Sequence, residues 1–264
     1  MKNTSFLTLI LSSAALLAHA DAADALAAAK AAAEEGKAVE GPATWNTTFS
    51  FGGAMTRGNS DTLTANARLA TEKLLGETLF NGSVEGAYGE AEQTDADGVT
   101  RDETNVQNAK AAFGLKQRFD GVYGFLDGFV LTDDIADIDY RGMPSIGLGT
   151  FLADEDGLRI SVQAGVGYLW EKVGDVEDDY ATYVFGERAT YSLSETANLW
   201  EEVSYIGSFE DSSDSLVNAE LGADAALNET LKLGVVLKYT YDNTPAPDTE
   251  KDDLSLTAQI SFQL

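Results

Sequence analysis

The chain has 264 residues, with 17 basic and 44 acidic side chains and a formal charge of −27. It contains no cysteine and a single histidine, His19. Disulfides, thiolate nucleophiles and cysteine-bound metals are therefore excluded. The acidity argues against nucleic acid and anionic membrane surfaces as direct partners.

The first twenty residues read as a secretion signal. Lys2 gives a positive start, Phe6 to Leu17 is an apolar run, and Ala18-His19-Ala20 is a small-x-small cleavage site. Cleavage after residue 20 removes Lys2 and His19. The remaining chain is one unit more negative and has no imidazole. That excludes Ser-His-Asp triads, Cys-His pairs and His-ligated metals. No enzyme motif, cofactor motif or metal motif survives this reading. After the signal, no run of about 18 apolar residues offers a spanning helix.

Residues 21–44 form an alanine-rich extension. Asp21 and Asp24 stand at its start and Gly36 near its end. The segment reads equally as a short helix with acids at its positive end or as a frayed extension. Gly41-Pro42 separates it from the rest of the chain.

From Trp45 the pattern changes to period two. Twelve strands are expected: Trp45–Met55, Leu63–Leu74, Thr78–Tyr88, Val106–Phe119, Val122–Leu131, Tyr140–Leu152, Leu158–Trp170, Tyr180–Leu193, Ala197–Phe209, Leu216–Leu227, Leu231–Tyr241 and Asp253–Leu264. The last is typical. Leu254, Leu256, Ala258, Ile260, Phe262 and Leu264 alternate with Ser255, Thr257, Gln259, Ser261 and Gln263. Most of these runs exceed the roughly 9–11 tilted residues that cross a bilayer. Strands of a soluble sandwich average about 5–6 residues.

Connections alternate in length. Short turns are expected at residues 75–77, 120–121, 154–157, 194–196 and 228–230. Longer acidic loops are expected at 90–105, 132–139, 171–179, 210–215 and 242–252; the first connection, 56–62, is compact. This is the layout of an outer-membrane barrel with short periplasmic turns. The fold class expected for residues 45–264 is all-β, a transmembrane antiparallel up-and-down β-barrel of about 12 strands. Closure leaves no lipid-exposed edge.

Aromatics sort into two belts near the strand ends. Tyr88, Tyr140, Tyr168, Trp170, Tyr180, Tyr183, Tyr205, Tyr239 and Tyr241 fall at the outer rim. Trp45, Phe80, Phe119, Tyr123, Tyr191, Trp200 and Phe262 fall at the inner rim. Two strands break the pattern. Asp127 shares a face with Tyr123, Phe125, Phe129 and Leu131, and Glu187 shares one with Tyr183, Phe185 and Tyr191. A carboxylate facing hydrocarbon is costly. Those faces therefore point inward, or bulges reset the register.

Acids concentrate in the connections, and cations lie within strands, mostly on the polar face. The expected lumen-lining set is Arg68, Lys110, Lys116, Arg118, Asp127, Arg141, Arg159, Arg188, Glu202, Lys232 and Lys238. Glu85, Glu171, Glu220 and Asp224, with Glu202, are available to pair with the cations, and Asp127 is paired here with Arg141. Two readings are open. Ion pairs and side chains plug the lumen, giving a structural barrel or narrow channel, or a hydrated basic ring passes small anions. A soluble periplasmic β-barrel that binds a ligand is the third reading. Asp95-Ala96-Asp97-Gly98 has part of a calcium-loop pattern but lacks the full spacing. The acidic loops also suit loose divalent bridging to lipopolysaccharide phosphates. The outer-membrane assembly machinery and outer-membrane lipid are the other expected partners.

Arg57-Gly58-Asn59-Ser60-Asp61-Thr62 after the first strand resembles the Gly-Asn-Thr-Asp-Thr-type hairpin of the salt-induced outer-membrane proteins, a family catalogued as a domain of unknown function. Arg141 and Gly147-Leu148-Gly149 resemble that family's middle region. The resemblance runs from about Trp45 to Leu264. It implies an outer-membrane barrel and a link to salt or osmotic stress, and brings no catalytic residues. Barrels of this kind commonly end in an aromatic residue. This chain ends in Leu264, with Phe262 two before it.

Overall fold

The computed structural model describes residues 45–56, 62–94, 100–155, 157–247 and 249–264. The expected signal (1–20) and extension (21–44), the Gly58-Asn59 hairpin tip and the Asp95–Gly98 segment lie outside the described residues. No helix occurs among those described.

Twelve strands form one closed antiparallel ring: β1 Asn46–Thr56, β2 Thr62–Leu75, β3 Thr78–Thr94, β4 Thr100–Phe119, β5 Val122–Asp133, β6 Ile138–Glu155, β7 Leu158–Val173, β8 Val176–Ser192, β9 Ala197–Ser208, β10 Ser215–Ala226, β11 Leu231–Asp242 and β12 Asp252–Gln263. Each strand pairs with its neighbours in sequence, and β12 returns to β1. An even count puts both ends of the sheet at the same rim, the one that carries the turn at 120–121. That turn is tight. Asp120 and Gly121 have φ of 37° and 78°, the left-handed pair that joins strands in a two-residue hairpin.

Period-two patterning decides the faces. On β1, Phe49 and Phe51 are exposed outward, while Ser50 turns inward and meets Ser261 at 2.8 Å. Leu148 and Leu152 on β6, and Leu254 and Leu256 on β12, are more than half exposed to the outside. A continuous belt of this kind matches hydrocarbon rather than water.

The interior is packed. Phe129, Met143, Leu169, Tyr180, Val184, Ile206 and Leu216, contributed by β5 to β10, form a buried apolar cluster inside the ring. Met143 and Leu169 have no exposed surface. Ala112 and Leu131 pack against the same cluster.

Three expectations are corrected. The acidic loops expected at 90–105 and 171–179 are mostly strand, because β3 and β4 run to Thr94 and Thr100, and β7 turns into β8 at Gly174 and Asp175. Ladder hydrogen bonds hold these hairpins where no apolar alternation marks them. Tyr123, Tyr180 and Trp200 do not belong to the lipid-facing belts. Tyr123 and Tyr180 are buried inside the ring, and Trp200 lies over inward-facing Gly222, where an added Cβ would stand 2.2 Å from its Cε2. Glu187 keeps the outward face of Phe185 and Tyr191, because β8 shows no register shift against either neighbour.

Candidate functional site

The inward faces bring the expected charged residues into the lumen, where acids and cations interleave. Near the rim with the longer connections, β6 presents Arg141. It donates to Glu171 of the adjacent β7 and, at 2.7 Å, to Asp242 at the end of β11. Four strands, β7 to β10, separate β6 from β11 around the ring. The Arg141–Asp242 bond therefore crosses the lumen. Tyr180 completes the group, its hydroxyl donating to Glu171 at 3.2 Å.

The connection after Asp242 lies over this group. Thr244 donates to Asp214 at 2.7 Å, and Lys251 donates to the Asn243 carbonyl at 2.6 Å. Ala246 is buried. It and Pro247 lie against Gly174 of the β7–β8 turn. The mouth is covered from the β11–β12 side to the β7–β8 side.

A second charged group lies deeper. Arg68 on β2 donates to Glu85 on β3 at 2.5 Å and to Ser83 at 3.3 Å. Lys238 on β11 approaches the same Glu85 at 3.9 Å and Glu220 on β10 at 3.9 Å. Lys110 stands opposite Glu85 in the β3–β4 ladder and over the ring of Phe129 at 5.4 Å. Lys232 is diagonal to Asp224 on the same face of the β10–β11 ladder.

A third group lies toward the other rim. Asp127, fully buried, accepts from Gln163 at 3.4 Å. Gln163 in turn accepts from Tyr123 at 3.2 Å. Lys116 stands over Tyr123 at 5.4 Å, within electrostatic reach of Asp127 and Glu202. Arg188 donates to Glu202 and stacks over Trp200 at 5.6 Å. At the turn-bearing rim, Asp154 holds Arg159 at 3.1 Å and Arg118 at 3.6 Å. Arg118 also lies over Phe151 at 5.1 Å.

Two sequence expectations change here. Asp127 does not meet Arg141: it stands opposite Ser145 in the ladder, and Arg141 is engaged by Glu171 and Asp242. No bare basic ring exists among the described residues either, since each group of cations faces carboxylates. Asp154 and Asp242 read from sequence as turn and loop residues, yet both complete lumen ion pairs. Inward parity along β11 is the signal that finds Asp242, whereas Asp154 departs from the odd-numbered inward parity of β6 and is turned into the lumen by the register shift between Phe151 and Ala153. Among the described residues, no cluster of three metal-ligating side chains occurs.

The chain belongs to the family described as protein of unknown function, DUF481, whose profile matches residues 49–263. No curated protein matches the chain by sequence. Among solved structures, the fold is similar to the NanC porin, with a TM-score of 0.54 and 10% identity, covering 82% of this chain and 100% of that one. It is also similar to an outer membrane channel from Pseudomonas putida F1, with a TM-score of 0.51 and 8% identity, covering 83% of this chain and 94% of that one. At such identities the likeness is one of fold.

Proposed function

We propose that this chain is a non-enzymatic barrel of the bacterial outer membrane whose lumen is held shut, or narrowly gated, by side-chain ion pairs. Its role is structural or that of a narrow channel in the envelope. The observation that carries this reading is Arg141, which reaches across the lumen to Asp242 beside a buried apolar cluster. Buried ion pairs of this kind hold geometry rather than add much stability, which suits a plug or a gate. The lipid-facing belt favours a membrane location over a soluble ligand-binding barrel. The link to salt or osmotic stress rests on the family resemblance alone. Outer-membrane lipid, lipopolysaccharide bridged by divalent cations, and the assembly machinery are the partners this reading requires.

The anion-preferring pore is the weaker reading. Lys110, Lys116 and Arg118 line the lumen, but Glu85, Asp127, Glu202 and Asp154 stand among them. Proteoliposome swelling tests the closed reading. Vesicles bearing the barrel are expected to shrink and stay shrunken in a small sugar. Rapid re-swelling at the rate of an open porin overturns it.

A further inference from the structure

Two outward charges near the turn-bearing rim stand on opposite sides of the ring. On β2, Ala70, Glu72 and Leu74 are buried and face inward, so Lys73 points outward. It lies over the outward ring of Trp45 at 5.8 Å and has no ion-pair partner among the described residues. Leu75, nearer the rim on the same face, is 64% exposed. Lys73 therefore stands within the apolar belt and not beyond it. On β9, Glu201 is exposed on the outer face, between Ala189 of β8 and Leu221 of β10. Among the described residues, only Glu187, another acid, lies within its electrostatic reach.

Depth and direction relate the two. Lys73 pairs with Phe80 on the third rung from the β2–β3 turn, after Leu75–Thr78 and Leu74–Leu79. Glu201 pairs with Ala189 on the fourth rung from the β8–β9 turn, after Ser192–Asn198, Tyr191–Leu199 and Thr190–Trp200. Both turns lie at one rim, so cation and acid face lipid at nearly the same height. β2 and β8 are six strands apart in a ring of twelve, and β9 adjoins β8. The two charges therefore look away from each other and do not meet within one barrel. A membrane holds every copy the same way up. Lys73 of one copy thus reaches Glu201 of the next at matching height when the two barrels stand side by side.

We propose that the β2 wall of one barrel docks on the β8–β9 wall of a second copy of this chain, with Lys73 pairing with Glu201. An acid on the lipid face of a lone barrel is costly. Beside a cation in the same low-dielectric layer its charge is compensated. Side-chain size agrees with charge. Trp45 and Lys73 are long, whereas Ala189, opposite Glu201, and Ala223, diagonal to it, add little bulk. The two walls differ and lie nearly opposite each other, so the contact is head-to-tail. It extends into a straight or gently curved row and does not close into a dimer or trimer. The contact lies on the outer wall and is independent of whether the lumen conducts.

The test links neighbours in the outer membrane of bacteria expressing the full chain, which has no cysteine of its own. Thr71→Cys/Ala189→Cys puts one thiol on the face of Lys73 and one opposite Glu201, with both charges native. A short, membrane-permeant bismaleimide is expected to give a gel ladder of dimers, trimers and longer rows. Leu126→Cys/Leu233→Cys, on the outward faces of β5 and β11, are also six strands apart and set the background of random collision. A ladder no stronger than that background overturns the proposal, and leaves a lipid headgroup or an unlike protein facing Glu201. Dimers formed equally well by Thr71→Cys alone overturn it too, because they require like walls to meet. The charges are then tested within the same cysteine pair. Lys73→Glu or Glu201→Lys alone is expected to abolish the ladder, and the two together to restore it. Lys73→Gln and Glu201→Gln, which place no new charge in the belt, are each expected to weaken it. A ladder that both glutamine variants leave unchanged contradicts the ion pair and means that Lys73 only reaches along Trp45 toward water.

Discussion

Arg141 on β6 and Asp242 on β11 meet at 2.7 Å although four strands lie between them around the ring. The pair lies under the connection that covers the mouth. Removing Arg141 leaves two acids, Glu171 and Asp242, without the cation they share, whereas removing Asp242 leaves Arg141 still paired with Glu171. Arg141→Met is therefore expected to loosen the mouth more than Asp242→Asn. Protease nicking within residues 243–251 of the folded barrel reads this difference. Equal nicking in both variants contradicts it.

Met143→Ala empties the centre of the apolar cluster. A fully buried methionine cut to alanine costs about 2–5 kcal/mol. Urea unfolding from lipid vesicles is expected to show a loss in that range. A loss below about 1 kcal/mol contradicts a tightly packed cluster and shows that its members close around the shortened side chain.

Gly222 gives way to the Trp200 ring, which lies where a Cβ would be. Gly222→Val forces the ring off its position and away from Arg188, 5.6 Å from its centroid. Overpacking of this sort costs about 1–3 kcal/mol. Trp200 fluorescence is expected to shift to the red, in a background where Trp45 and Trp170 are phenylalanine. An unshifted spectrum argues that the ring does not depend on the glycine.

Glu187 and Glu201 share the outward face of β8 and β9. Glu187 stands opposite Val162 and Val203, and Glu201 opposite Ala189 and Leu221. Acids on a lipid face cost less than the ~2–4 kcal/mol of a basic residue at the midplane, but they do cost. Glu201→Leu is expected to raise vesicle-refolded stability by about 1 kcal/mol. A fall in stability shows instead that this face meets something more polar than acyl chains.

In the mouth, Asp211 accepts from the Ser213 amide at 2.8 Å and its hydroxyl at 2.7 Å. These bonds hold its carboxyl below the usual aspartate range. A lowered folded value stabilises the loop above the ordinary aspartate range, and that stabilisation is lost as pH falls through the lowered value. Amide exchange of Ser213 is expected to accelerate, beyond its intrinsic pH dependence, only in strong acid. Acceleration already near pH 5 contradicts the assignment.

Twelve alternating segments were legible in the sequence because lipid on one side and packed side chains on the other enforce period two. Asp127 beside Tyr123 and Phe129 was legible as an anomaly, and the ring turns that face inward. The expected belts do not hold at Tyr123, Tyr180 and Trp200. A place near a strand end says nothing about face, whereas parity with Asp127, Thr182 and Glu202 does. The hairpin of β3 and β4 carries no such pattern: Glu103 and Thr104, on opposite faces of β4, are both exposed, and alternation has no cause there. Cross-lumen pairs such as Arg141–Asp242 leave no local trace, since ring closure alone decides which distant strands face each other.

The central claim is that ion pairs hold the lumen shut, and planar-bilayer recording tests it most directly. The wild type is expected to pass little or no current at moderate voltage. Arg141→Ala/Asp242→Ala, with Glu85 and Lys238 also made alanine, is expected to show discrete openings of larger conductance. A wild type that conducts steadily, with the four substitutions leaving conductance unchanged, contradicts the account.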